Sequence, residues 1–218
     1  MARTKIKFCG LTRPTDAAEA ARLGADYAGV IFAPGRRTVT LPQARQVLDA
    51  ASGTKRVGIV GRERIAAVLH LALEADLDVL QLHGNFTTDE HRQIRDEFEG
   101  EIWSVMPIDA TSGAMTLDWK ELADCSDGLV LDTIAGGQTG GTGRTFDWSL
   151  AAPEIVAARA NIPLVVAGGL TPKNVAQAIA ILRPATVDVS SGVEISPGVK
   201  DHMLMSTFAE AVLAASIV

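Results

Sequence analysis

Leu164-Val165-Val166-Ala167-Gly168-Gly169-Leu170-Thr171-Pro172 passes from a β-branched apolar run through a glycine pair to Thr-Pro, and helix formers follow as far as Leu182. So short an apolar run, bounded by glycine, reads as a fully buried strand. Pro172 suits the first turn of a helix, where its missing N–H costs nothing. Thr186–Ser190 supplies the next apolar run. The unit is therefore strand, glycine turn, helix, strand, and a crossover of that length favours parallel pairing.

The same unit recurs towards the N-terminus. Strands are predicted at Ile6–Cys9, Tyr27–Phe32, Arg56–Val60, Val79–Leu82, Ile102–Met106, Gly128–Asp132, Leu164–Ala167 and Thr186–Ser190. Helices are predicted at Thr15–Leu23, Pro42–Ala51, Glu63–Ala75, Thr88–Phe98, Leu117–Ala123, Trp148–Ala160, Pro172–Leu182 and Leu204–Ala215. Eight such units of about 27 residues fit a closed barrel, which removes the edges that an open doubly wound sheet would leave. The fold class is thus α/β, a single (β/α)8 TIM barrel, with residues 1–218 as one domain. No Ser/Pro-rich or highly charged stretch interrupts the pattern as a linker would.

Composition sets the context. With 47% hydrophobic and 21% charged residues, the chain can bury a large core. A net charge of −6 argues against general binding to nucleic acid, which needs a basic face. No run of about 18 apolar residues suggests a membrane span, and the start of the chain lacks a signal peptide's apolar run. Two cysteines, Cys9 and Cys125, make no disulfide framework. A cytoplasmic location follows, with neither nucleic acid nor membrane as partner, and a monomer or homodimer as the form. His70, His91 and His202 show no metal-binding spacing, and no metal is expected.

A closed barrel gathers its strand C-terminal ends around one mouth, so Cys9, His83, Asp132, Gly168 and Ser190 are expected to share a pocket. Loops after the seventh and eighth strands are the usual phosphate site of such barrels. Here they carry Gly168-Gly169 and Ser190-Ser191-Gly192. One glycine pair alone could simply turn the chain; two adjacent loops of this kind point to backbone N–H groups that cradle an anion. A third glycine-rich segment, Gly140-Gly141-Thr142-Gly143-Arg144, precedes Asp147, which suits a helix N-cap. Closure over a ligand is expected of it.

Lys7-Phe8-Cys9-Gly10-Leu11-Thr12, Gln81-Leu82-His83-Gly84, Leu129-Val130-Leu131-Asp132-Thr133, Gly140–Trp148, Gly168-Gly169-Leu170 and Asp188–Glu194 occur in that order along nearly the whole chain. Taken together they resemble the phosphoribosylanthranilate isomerase family of tryptophan biosynthesis. The resemblance implies a (β/α)8 barrel that needs no cofactor. It also implies an Amadori rearrangement of N-(5-phosphoribosyl)anthranilate, with Asp132 as general acid and Cys9 as general base. Both residue types suit the chemistry, because surroundings can tune each towards neutral pH. Period two aims Lys7 into the same interior as Cys9, and Asp188 sits two residues before Ser190. A Lys7–Asp188 pair beneath the site is therefore expected, with the lysine lowering the thiol pKa.

The implied substrate carries a carboxylate that suits a guanidinium fork. Arg36 and Arg37, after the second strand, are the candidates, and Arg37 matches the family's position better, in a loop one residue shorter. His83 and Asp188 complete the expected substrate contacts. Two departures from the family pattern stand out: Val57-Gly58-Ile59-Val60-Gly61-Arg62 at the third strand, and the small loop Ile134–Thr139. The alternatives are a catalytically silent phosphosugar-binding barrel and a related aminosugar-phosphate isomerase. Retention of Cys9 together with Asp132 counts against the first; the histidine-pathway isomerase would carry an aspartate in place of Cys9.

Overall fold

The computed structural model describes residues 3–135, 138–139 and 145–215. Segments 136–137 and 140–144 fall outside the described residues, so the expected closure of the third glycine segment does too. Among the described residues, eight parallel strands alternate with eight helices. The strands are β1 (Lys5–Phe8), β2 (Tyr27–Ile31), β3 (Lys55–Val60), β4 (Val79–Leu82), β5 (Glu101–Asp109), β6 (Gly128–Ala135), β7 (Leu164–Val166) and β8 (Thr186–Val189). The helices are α1 (Pro14–Arg22), α2 (Leu41–Ala50), α3 (Ile65–Glu74), α4 (Thr88–Glu97), α5 (Trp119–Ala123), α6 (Trp148–Arg159), α7 (Val175–Leu182) and α8 (His202–Ala215). β1 pairs with both β2 and β8, and β5 pairs with β6, so the sheet closes as a barrel.

Helix starts follow local chemistry. Thr40 and Thr87 each form a capping box, with Gln43 and Glu90 respectively. Asp147 caps α6 through the amides of Ser149 and Leu150. Pro172 does not open α7 as the sequence suggested. Thr171 donates its amide to Asn174 Oδ1 at 2.7 Å, and Asn174 Nδ2 donates to the carbonyl of Gly169 at 3.0 Å. That turn ties down the glycine loop before the helix begins at Val175. β5 runs past the predicted end at Met106. Pro107 interrupts the apolar run there, yet the ladder with β6 continues through Pro107↔Asp132 to Asp109↔Ile134.

Alternation along the strands sorts two sets of side chains. Ile6, Phe8, Leu129, Leu131, Leu164, Val166, Val187 and Val189 face the helices and are buried there. Tyr27, Val57, Ile59, Val79, Trp103, Val105, Val130 and Val165 fill the barrel with Cys9. Tyr27 and Trp103 meet edge to face at 4.8 Å near the strand N-termini and plug that end. Three short strands lie outside the barrel: Gln138–Thr139 beside β6, and Glu194–Ser196 paired with Val199–Lys200 after β8.

Candidate active site

A cavity of about 810 Å³ opens at the C-terminal ends of the strands. Cys9, Arg36, Arg37, His83, Asp132, Gly168, Gly169, Asp188, Ser190, Ser191 and Gly192 all line it. Every site residue expected from the sequence therefore meets at one mouth. Seven different strand ends and loops, all but those of β5, contribute to a site that is scattered along the chain.

The β1–β8 register places Lys7 opposite Asp188. Lys7 Nζ donates to Asp188 Oδ2 at 2.6 Å, with the lysine wholly buried and the aspartate nearly so. Burial works against the ammonium, but Asp188 and Cys9 outweigh it and raise its pKa. The expected pair thus exists. Its expected effect on Cys9 does not prevail. Burial pushes the Cys9 thiol above its ordinary value; Lys7 and Lys200 pull it down, Asp188 pushes it up, and burial dominates.

Asp132 stands within β6, which runs past the predicted end to Ala135, and is separated from β1 by β7 and β8 around the barrel. Burial pushes its pKa up to about 6, against the pull of the Thr133 amide at 2.8 Å and of Lys7, while Asp188 adds to the rise. Gly168 is packed against this carboxyl group. A Cβ there would come within 2.4 Å of Thr133 Oγ1 and 3.0 Å of Asp132 Oδ1, and its φ of +80° is one that side chains rarely tolerate.

Arg37 lies half-buried in the wall, with Nε and Nη2 donating to Glu194 Oε1 and Oε2 at 2.8 and 2.7 Å. Burial works against the Glu194 carboxylate, yet Arg37 and Lys200 hold it below the usual range. Arg36 is exposed at the rim and makes no ion pair among the described residues. His83 faces the cavity, and burial lowers its pKa, which keeps the imidazole neutral at pH 7.

The glycine loops form the opposite rim. Among the described residues, the amides of Gly168 and Gly169 donate to no protein acceptor. Gly192 packs on the carbonyl of Leu170, where a Cβ would stand 1.8 Å from that oxygen, so the two loops interlock without a side chain between them. Ser190 Oγ, Asp188 Oδ1 and Gln81 Oε1 are buried and have no hydrogen-bond partner among the described residues. Such atoms await a polar ligand or water.

Lys200 carried no signal of its own in the sequence. Gln81 is legible as an inward position on β4 and as the first residue of the Gln81-Leu82-His83-Gly84 motif, though not as a site residue. Lys200 lies beyond the last predicted strand, in the short hairpin that sequence reading did not find. Cys125 is half-buried beside Glu121 and Leu122, away from the mouth. Gly61 and Arg62, the third-strand departure, leave Ile59 on the cavity wall, while Arg62 pairs with Glu90 outside it. Among the described residues, no three His, Cys, Asp or Glu side chains cluster as metal ligands.

The family model described as N-(5'-phosphoribosyl)anthranilate (PRA) isomerase matches residues 6–211. An N-(5'-phosphoribosyl)anthranilate isomerase of Acidithiobacillus ferrooxidans is 39% identical over 213 residues, covering 95% of this chain and 97% of the relative. The dimeric phosphoribosylanthranilate isomerase of Thermotoga maritima, solved as generated monomers, superposes with a TM-score of 0.81 at 32% identity, covering 97% of this chain and 99% of that one. A phosphoribosyl anthranilate isomerase solved with reduced 1-(o-carboxyphenylamino)-1-deoxyribulose 5-phosphate superposes at 0.80 with 30% identity and the same coverage. With its barrel, its cavity and matches along nearly its whole length, the chain belongs to the N-(5'-phosphoribosyl)anthranilate isomerase family.

Proposed function

We propose that this chain isomerises N-(5-phosphoribosyl)anthranilate to 1-(2-carboxyphenylamino)-1-deoxyribulose 5-phosphate in tryptophan biosynthesis. The observation that carries the reading is a buried thiol and a carboxyl of raised pKa on separate strand ends of one cavity, between an arginine and two interlocked glycine loops. The glycine amides with Ser190, Ser191 and Gly192 hold the phosphate. Arg37, with Arg36 at the rim, holds the anthranilate carboxylate, and His83 and Asp188 contact the remainder of the substrate.

Asp132 donates a proton to the furanose ring oxygen, and the ring opens to a Schiff base. Cys9 then removes the C2 proton to give an enolamine, which tautomerises to the ketone. The reaction needs protonated Asp132 and ionised Cys9 together. With the acid near 6 and the thiol above its ordinary value, that combination is a minority form whose population is flat between the two pKa values. The kcat/KM profile should therefore rise about tenfold per pH unit below 6, bend there, stay level, and fall above the thiol pKa.

The chain acts as one domain in the cytoplasm. Its cysteines are free, and among the described residues no helix is long and apolar enough to cross a membrane. The dimeric Thermotoga relative supports a homodimer as one of the two expected forms, a monomer being the other. The test is loss of substrate fluorescence, with phosphoribosylanthranilate generated in situ. Wild type should turn over, while Cys9→Ser and Asp132→Asn should lose roughly 10²–10⁴-fold in kcat. An inactive wild type would sink the proposal; unchanged variants would sink the acid and base assignment.

A further inference from the structure

Two charged side chains at the mouth neither give nor take a proton in the proposed acid–base chemistry. Lys200, wholly buried in the hairpin after β8, places its ammonium 2.6 Å from the carbonyl of Cys9, 3.1 Å from that of Ser190 and 2.9 Å from Glu194 Oε1. An ammonium has three N–H donors, so none is left over. Its position is secured from behind, because the amide of Lys200 donates to the buried carboxylate of Asp16 at 3.1 Å. One cation thus joins the end of β1, which carries Cys9, to the end of β8, which opens the proposed phosphate loop. The same Glu194 that it holds grips Arg37 through both Nε and Nη2.

That grip determines which part of Arg37 can meet a ligand. Nε is spent on Glu194, and Nη1 makes no hydrogen bond among the described residues. The arginine stem lies flat on Gly10, where a Cβ would stand 2.5 Å from Arg37 Cδ. Two basic side chains share one carboxylate: burial lowers the Lys200 pKa against the pull of Glu194, while Glu194 raises that of Arg37, so the guanidinium keeps its charge at the cavity wall. A carboxylate of the ligand would complete the cluster.

We propose that Glu194 and Lys200 are positioning residues for substrate selection: Lys200 anchors Glu194, and Glu194 aims the outer edge of Arg37 at the substrate carboxylate. The proposal rests on Arg37 being the carboxylate ligand. Neither residue touches the reacting atoms. Glu194 replaces solvent as the partner of one face of the guanidinium, so the other face is preset before the ligand arrives.

The test compares phosphoribosylanthranilate with its analogue made from aniline, which lacks the carboxylate. Wild type should favour the former. Glu194→Gln should lower that preference on the order of tenfold, by raising KM for the anthranilate substrate, since one charge-assisted contact is misaimed. Glu194→Asp, which keeps the charge, should restore part of it. An equal loss on both substrates, or an unchanged preference, would overturn the role of Glu194. Arg37→Gln serves as the control for the underlying reading: if it leaves the preference intact, Arg37 is not the carboxylate ligand, whatever Glu194→Gln does. Adding Lys200→Met to Glu194→Gln should reduce the preference no further, because both act through one guanidinium. A further loss would overturn the role of Lys200 as the anchor of Glu194.

Discussion

The two arcs of the barrel interior are built on one plan and filled with opposite materials. From β2 to β5 the inward positions hold Tyr27, Val57, Ile59, Val79, Trp103 and Val105, with Gln81 near the mouth. Around the seam of β1 and β8 they hold Lys7, Cys9 and Asp188, with Lys200, Glu194 and Arg37 just above. Both arcs are close-packed, so burial alone does not separate structure from chemistry. The separation lies in what burial does to each group. Where cations are few, at Asp132, desolvation prevails and yields a carboxyl that can hold a proton near neutral pH. At the seam, Lys7 and Lys200 oppose the desolvation of Cys9 without overcoming it, so under the proposed mechanism its thiolate would be a scarce but strong base.

The largest effect is expected at the seam. Lys7→Met leaves Asp188 as a buried carboxylate without its cation and should cost roughly 3–5 kcal/mol in urea denaturation. Lys7→Met combined with Asp188→Leu should recover most of that stability while remaining inactive. If the single variant were as stable as the double, the charged arc would not depend on its pairing. Iodoacetamide titration of any folded Lys7→Met protein should also find the Cys9 midpoint moved further up, since a cation that lowers it is gone.

Asp132→Asn probes the boundary between the arcs. A folded pKa of about 6 against an ordinary 3.8 means that the native state takes up a proton more readily than the unfolded chain. The stability contributed by the protonated group is complete below 3.8 and is lost as pH rises through 6. The asparagine variant avoids that loss. It should be more stable than wild type by up to about 3 kcal/mol at pH 7, with the gap closing below pH 4. A constant gap across that range would mean that the carboxyl is not titrating as described.

A smaller change is expected from the apolar wall. Val130 lies two residues before Asp132 on the same inward face, and Val130→Thr exchanges a methyl group for a hydroxyl of nearly equal size. The more polar wall should ease desolvation and move the acidic bend in kcat/KM down by about half a pH unit. No movement would assign the raised pKa to the charge of Asp188 instead of the wall.

Much of this molecule is legible in its order of residues. Period-two alternation separates Lys7 and Cys9 from Ile6 and Phe8, and the eight-fold repeat is enough to close the sheet. Pairing Lys7 with Asp188 follows from those two facts. Pro172 misled, because a local preference for the first helical turn gave way to the side-chain bonds of Asn174. Lys200 was illegible for a different reason: nothing in Val199-Lys200-Asp201 announces burial, since a lysine is ordinarily solvated. Only when the hairpin folds back do two strand-end carbonyls and Glu194 converge on its ammonium.

What the residue order determined by itself was periodic or local: the alternation of strands and helices, the inward and outward faces, the glycine loops and the residue types at the strand ends. The tertiary structure decided the balance of desolvation against charge at Cys9 and Asp132, and which carboxylate takes hold of Arg37. Those outcomes depend on close contacts between groups up to 191 positions apart in the chain, as for Lys200 Nζ and the Cys9 carbonyl at 2.6 Å. Electrostatic energies of that kind are set by separation and burial, and no pattern along a chain records either.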